Sequence, residues 1–297
     1  MRDVADDPRI LICTLYSGEP QLSALKDSLG AQSVRNWTQR IFEFLPNREA
    51  HRTLYRYIMD AHGQFDVFMK IDADMVLRRA SVLEEIVERF ARIEDLDHAV
   101  FAVHDWAAQR NIMGLHAFSP RALWKESSEA LFVDPEPRIP GRRLVYWNDP
   151  EAVADHMPDP SFPQAYTFGF HRALKVVQRG RVHANVAQAR AQMQLLQKVW
   201  DAFCATGDAR RASVLQGADD AFRSHEQYIG GKTEWYSTEQ HGAEESQRRP
   251  HGSWRVRCRW GRIGGIRNWR RLRWLVYPRV RARIRRLLAG EGKGVRA

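Results

Sequence analysis

Cysteine is scarce in this chain. Cys13, Cys204 and Cys258 are the three present among 297 residues, with no Cys-x-x-Cys pair and no histidine at zinc-finger spacing. That excludes a disulfide framework and a structural zinc site, and it fits a reducing cytosol. No run of about 18 apolar residues occurs, so the sequence offers no spanning helix. Met1-Arg2-Asp3-Val4-Ala5-Asp6-Asp7-Pro8 lacks the apolar core of a secretory signal. Acid is missing from Arg248 to Arg286, where 15 arginines stand with no lysine, aspartate or glutamate. Removing those 15 from 46 basic residues leaves 31 against 36 acids, so the net charge of +10 belongs to one segment. Only that segment calls for an anionic partner.

What is present begins with an ordinary globular composition, 44% hydrophobic and 28% charged, and enough chain for one large domain or two smaller ones. Arg9 to Leu15 reads as a buried strand, and Ser17-Gly18-Glu19-Pro20 as a turn opening a helix striped by Leu22, Leu25 and Leu29. Residues 39 to 45 make a second strand, followed by a helix capped by Asn47 that carries Leu54, Tyr57 and Ile58. Phe65 to Ile71 is a third strand, a helix follows with Val82, Leu83, Ile86 and Val87, and His98 to Val103 is a fourth strand. This alternation predicts an α/β fold with a doubly wound, mainly parallel sheet. Ile112 to Phe118 reads as a further strand, with Ser119-Pro120 opening a helix. Residues 134 to 163, dense in proline, read as a long loop over the sheet edge. Residues 186 to 206 return to helix, with Met193, Leu196, Trp200 and Phe203 on one stripe. A single boundary falls near residue 245, dividing a domain of 1–245 from a basic C-terminal extension of 246–297.

The third strand ends at Asp72-Ala73-Asp74. Residues two apart in extended chain point the same way, and ligands of doubly wound sheets sit beyond the carboxyl ends of the strands. Two carboxylates there can hold one hard divalent cation, and Mg²⁺ characteristically takes one or two carboxylates plus substrate phosphates. The pattern points to cleavage of a diphosphate-linked donor, where a cation offsets charge on the leaving group. Solvated or helix-capping acids are the plainer reading of any Asp-x-Asp. Lys70, embedded in the apolar run before the triplet, and Arg78 after it could add positive charge.

Thr14-Leu15-Tyr16-Ser17-Gly18-Glu19, then Asp27-Ser28-Leu29-Gly30-Ala31-Gln32, then Asp72-Ala73-Asp74 form an ordered set. In these, residues 9 to 125 resemble the GT-A class of nucleotide-sugar glycosyltransferases, family-2-like members in particular, with their Rossmann-like fold. The resemblance implies that Asp72 and Asp74 hold Mn²⁺ or Mg²⁺ on the donor diphosphate, with the nucleoside resting near Thr14, Tyr16 and Glu19. It also implies a carboxylate base for the acceptor hydroxyl and a further metal or phosphate contact, often histidine, from later sequence. The candidates are Asp155 as base and His156 or His171 as contact; Gly114-Leu115-His116-Ala117-Phe118-Ser119 would face the acceptor. A histidine among aromatics, as His171 is, also suits a buried core position. Asp219-Asp220 with His225 is a second cluster, equally readable as the polar face of a helix. Family-2 members carry an acid-rich phrase after the second strand, and Phe44-Leu45-Pro46-Asn47-Arg48-Glu49 stands there instead. The nucleotide base therefore stays open.

The basic extension interleaves its arginines with Trp254, Trp260, Trp269, Trp274 and Tyr277. Tryptophan favours the headgroup depth of a bilayer and arginine attracts anionic lipid, so an anionic membrane surface is the expected partner. That places the chain in the cytoplasm, peripheral at the inner face of the cell membrane, and agrees with a glycan or lipid-linked acceptor. The alternative is a nucleic-acid-binding protein using the same arginines and aromatics. A receiver-type signalling module is excluded, because Cys13-Thr14 rather than an acid pair ends the first strand.

Overall fold

The computed structural model describes residues 7–122, 143–177, 186–224 and 242–245. The basic extension from residue 246, the helix expected after Ser119-Pro120, and His225 lie outside the described residues. Eight strands form one sheet: β1 (Ile10–Tyr16), β2 (Trp37–Glu43), β3 (Val67–Lys70), β4 (Met75–Leu77), β5 (Leu96–Asp105), β6 (Arg110–Phe118), β7 (Arg143–Trp147) and β8 (Ala154–His156). The helices are α1 (Leu22–Gly30), α2 (Asn47–Asp60), α3 (Val82–Arg92), α4 (Phe162–Val177), α5 (Val186–Thr206) and α6 (Ala209–Ser224).

The strand order is β2-β1-β3-β6-β5-β8-β4, with β7 also paired to β5. Pairings β1–β2, β1–β3, β5–β7 and β5–β8 are parallel, while β3–β6, β5–β6 and β4–β8 are antiparallel. The sheet is thus α/β and mostly parallel, as its alternation predicts, with an antiparallel β6 wedged into its centre. Side chains alternate across it as the pleat requires. Ile10, Ile12, Val67 and Met69 meet α1 and α3 on one face, and Leu11, Cys13 and Phe68 meet α2 on the other.

Local chemistry sets the connections that shape the site. Gly18 takes φ +103°, a left-handed turn that glycine reaches without Cβ strain, and the chain passes from β1 into α1 through it. Ser28 and Gln32, from the Ser-Leu-x-x-Gln phrase, tie α1 to β4 and to the start of α3. Ser28 Oγ accepts the Leu77 amide at 3.1 Å, and Gln32 accepts the Leu83 amide at 3.1 Å while donating to Arg79 O at 3.0 Å. In α3, Glu84 and Glu85 open the helix and Arg89 and Arg92 close it, each sign complementing the macrodipole.

Some expected elements differ. Residues 134 to 163 do not form a bare loop: β7, β8 and the start of α4 fall inside this range, since short segments find hydrogen-bond partners along β5 and β4. Asn47 is the first residue of α2 rather than its cap, which is Pro46. The helix bearing Asp219 and Asp220 is no exposed polar face. Residues 211–219 are buried throughout, and Asp219 pairs with Arg223 at 2.8 Å. In α4 and α6 the backbones touch, because a Cβ on Gly169 would lie 1.7 Å from Val214 O and one on Gly217 would lie 2.1 Å from Tyr166 O. Among the described residues no helix is long and apolar enough to cross a membrane.

Candidate functional site

The acidic triplet is a turn between β3 and β4 rather than a continuation of β3. Its backbone is held from two sides. Ala73 N–H donates to Leu15 O at 3.1 Å, tying the turn to β1, and Met157 N–H donates to Asp74 O at 2.8 Å, tying it to the residue after β8. Asp72 and Asp74 both line a cavity of about 820 Å³ beyond the ends of β1 and β3.

The two carboxylates have different surroundings. Asp72 Oδ1 receives the Lys70 ammonium at 2.7 Å, and that lysine is 8% exposed. A buried ammonium needs such a partner, which explains a lysine inside an apolar strand. Asp74 retains 15% side-chain exposure, yet its Oδ1 is shut away from water with no hydrogen-bond partner among the described residues. Its Oδ2 accepts from Gln164 Nε2 at 3.4 Å and lies 3.5 Å from His156 Nε2. Burial raises the Asp74 carboxyl above its ordinary range, the His156 charge opposes this, and Asp72 adds to it.

The register of three strands brings His156 here. Met75 pairs with His156 across β4–β8, and Asp105 pairs with His156 across β8–β5. Burial pulls the His156 ring down, but Asp74 and Asp105 on either side outweigh it and the net shift is upward. Glu19 also lines the cavity. Burial lifts its carboxyl to about 7; the Ser17 amide, 2.6 Å from Oε2, opposes that lift, and the Asp74 and Asp72 charges add to it.

Other sequence candidates fall elsewhere. Thr14 is fully buried, its hydroxyl accepting from Gln39 at 3.0 Å, and Tyr16 packs edge-on against Phe44 at 5.3 Å. Neither lines the cavity, because alternation along β1 sends Leu15 and Ser17 there instead. Asp155 does not line it either. One residue from His156 on a strand, it takes the opposite face, where Arg78 Nε and Nη2 reach its Oδ1 at 3.0 and 2.7 Å. Arg78 is thereby engaged away from the site as well. His171 does line the cavity, on α4.

Sequence reasoning missed Asp105, although an acid ending the apolar β5 is the same signal that marks the triplet. Beyond His171, it also missed the rest of the α4 face, Gln164, Thr167, Phe168, Arg172 and Lys175, all of which line the cavity with it. Their spacing of three and four is one helical stripe, visible in the sequence as polar residues recurring at that period. Arg172 lies 4.6 Å over the Phe168 ring and donates to Gln192 at 3.3 Å. Gly114 and His116 of β6 also line the cavity.

Among the described residues no three His, Cys, Asp or Glu side chains already converge as a finished metal cage. Two carboxylates, one with an oxygen buried and lacking a donor among the described residues, nonetheless fit a hard cation that takes its other ligands from phosphate.

No family model matches the chain, and no curated protein matches it. Among solved structures it is similar to a mannosyltransferase from Pyrobaculum calidifontis in complex with GDP-Man and Mn²⁺. The identity is 13% over 82% of this chain and 88% of that one, with a TM-score of 0.41. It is also similar to a glycosyltransferase involved in the glycosylation of the major capsid of PBCV-1. Here the identity is 14% over 50% of this chain and 94% of that one, with a TM-score of 0.36.

Proposed function

We propose that this chain is a glycosyltransferase of the GT-A kind, moving a sugar from a nucleotide-sugar donor to an acceptor hydroxyl with the help of Mn²⁺ or Mg²⁺. The observation that carries the reading is the buried Asp74 Oδ1, which has no donor among the described residues and stands beside Asp72 in a cavity at the carboxyl end of β1 and β3. Leaving a carboxylate oxygen buried and unpaired destabilises a fold, so its retention argues for a ligand that completes it. Asp72 and Asp74 would hold the cation, which when bound supplies Lewis-acid neutralisation of the departing nucleoside diphosphate.

The remaining roles belong to the chain itself. Lys70 fixes Asp72 through their 2.7 Å ion pair. Gln164 fixes Asp74 from α4. Leu15 of β1, Ser17 and Gly18 of the turn after it, and Pro46 and Tyr55 line the cavity with apolar and backbone surface suited to a nucleoside. The α4 stripe, with His171, Arg172 and Lys175, and the β6 wall would receive the acceptor. The acceptor in this reading is a glycan or lipid-linked glycan at the cytoplasmic membrane face, reached through the Arg/Trp extension of residues 246–297.

The test is divalent-cation-dependent hydrolysis of a panel of nucleotide sugars by wild type, Asp72→Ala and Asp74→Ala. Wild type is expected to turn over at least one donor with Mn²⁺, and each variant to lose that turnover by about 10²-fold or more, the scale of losing a charge-stabilising group. Turnover indifferent to both substitutions would remove the metal site and the transferase reading with it.

A further inference from the structure

We propose that Asp105 is a positioning residue, aiming His156 Nε2 at the cation held by Asp74; the inference rests on the metal-assisted reading above.

Asp105 is fully buried at the end of β5, and both its oxygens are engaged. Oδ1 accepts the Ala108 amide at 2.6 Å, and Oδ2 stands 2.8 Å from His156 Nδ1. A carboxylate accepts and cannot donate, so the neutral His156 ring keeps its proton on Nδ1, and a cation beside Asp74 would replace the second proton that the charged ring carries on Nε2. That nitrogen lies 3.5 Å from Asp74 Oδ2, the carboxylate whose other oxygen is buried without a donor among the described residues. The ring is further fixed by its own backbone: Trp106 N–H donates to His156 O at 3.2 Å, and β8 pairs with β5 on one side and β4 on the other. A carboxylate behind a histidine, with the far nitrogen turned toward the cation, is the arrangement that fixes a ligand's tautomer and raises its basicity. Asp105 touches no substrate in this scheme. It acts through His156.

The Ala108 contact makes the proposal sharply testable. In Asp105→Asn, the side-chain oxygen remains the acceptor for the Ala108 amide, so the new NH₂ faces His156 Nδ1. The ring must then accept at Nδ1 and carry its proton on Nε2, pointing an N–H where the lone pair had been. There are two readouts, one of them needing no metal. Two-bond ¹H–¹⁵N correlations of metal-free protein at alkaline pH should show His156 as the Nδ1–H tautomer in wild type and the Nε2–H tautomer in Asp105→Asn. Mn²⁺ binding followed by electron paramagnetic resonance, with GDP present as the probe, should weaken by about 10- to 100-fold in Asp105→Asn. His156→Gln should weaken it similarly, and the double variant no further, since two residues acting through one contact are not additive.

An Nε2–H tautomer in wild type overturns the proposal without any variant having to fold. So does Mn²⁺ affinity in Asp105→Asn equal to that of wild type, or a double variant whose losses simply add. Wild type that binds no Mn²⁺ beside GDP, nor beside UDP, CDP or ADP in its place, strikes the proposed function itself, and is told apart because the variants then have nothing to lose.

Discussion

Asp74 carries a conflict between folding and function on one side chain. Burial disfavours its charge, and one oxygen finds no donor among the described residues. A neutral amide costs far less to bury than a carboxylate, so Asp74→Asn is expected to raise the melting temperature of the metal-free protein. The rise should be on the order of 2–4 °C per kcal/mol relieved. The same change should abolish Mn²⁺ binding, the trade-off that a strained site makes against stability. Calorimetry in EDTA checks the first half, and an unchanged or lower melting temperature would show that Asp74 is not strained. Cys13 gives a second residue-scale outcome. Its thiol is pushed up to about 12 by burial, with Arg40 opposing, from an ordinary value of 9.0. Between those values the unfolded chain has lost this proton and the folded chain keeps it, so this thiol destabilises the fold as pH rises from 9.0 toward 12. At about pH 8 iodoacetamide should label exposed Cys204 and leave Cys13 untouched in the native protein. Equal labelling of both, read by peptide mapping, would contradict the burial.

Among the elements, α4 offers the sharpest test because it carries a whole wall of the cavity and is seated directly on α6. A Cβ at Gly169 would meet backbone rather than a movable side chain, at 1.7 Å from Val214 O. Gly169→Ala should therefore force the helices apart and destabilise by about 1–3 kcal/mol or more. Gly30, at the end of α1, has nothing within 4 Å of its Cβ position, and Gly30→Ala should be neutral or stabilise by up to about 1 kcal/mol. Urea denaturation of the pair decides it, and equal midpoints would deny the close crossing. The same elements show what the sequence could reveal. The strands β1 and β3, the helices α1 and α3, and the acid-bearing turn are local patterns of alternation and stripe, and they stand close to where the pattern puts them. The strand β6 is legible too, in Ile112 to Phe118, but its antiparallel seat against β3 is not, and the short β7 and β8 are defined by partners far along the chain, where three- to five-residue strands leave too little period to read. His156 could be singled out as a histidine beside acids. Its pairing with Asp105 could not, because that contact exists only through the β5–β8 register across 51 residues.

At the scale of the whole molecule, charge is partitioned rather than spread. The segment from Arg248 to Arg286 holds 15 of the 46 basic residues and no acid, while the rest of the chain is net acidic. A uniformly basic protein would approach an anionic surface in any orientation. This one should approach through its C-terminal extension, with four tryptophans there to enter the headgroup region once attraction has brought it in. Each basic residue near such a surface adds about 1 kcal/mol, screened within a Debye length of about 8 Å at physiological salt. Full-length protein should therefore float with vesicles rich in phosphatidylserine and bind neutral phosphatidylcholine vesicles weakly. Salt at about 0.5 M, which shortens the screening length further, should partly release it from the anionic vesicles. Protein ending at residue 245 should stay at the bottom of the gradient while keeping donor hydrolysis, since every cavity-lining residue named here precedes that point. Flotation unchanged by the truncation would move membrane contact to the folded domain. RNA outcompeting anionic vesicles for the extension would instead give those arginines and tryptophans a nucleic-acid partner, and loss of hydrolysis on truncation would mean that the extension also helps build the site.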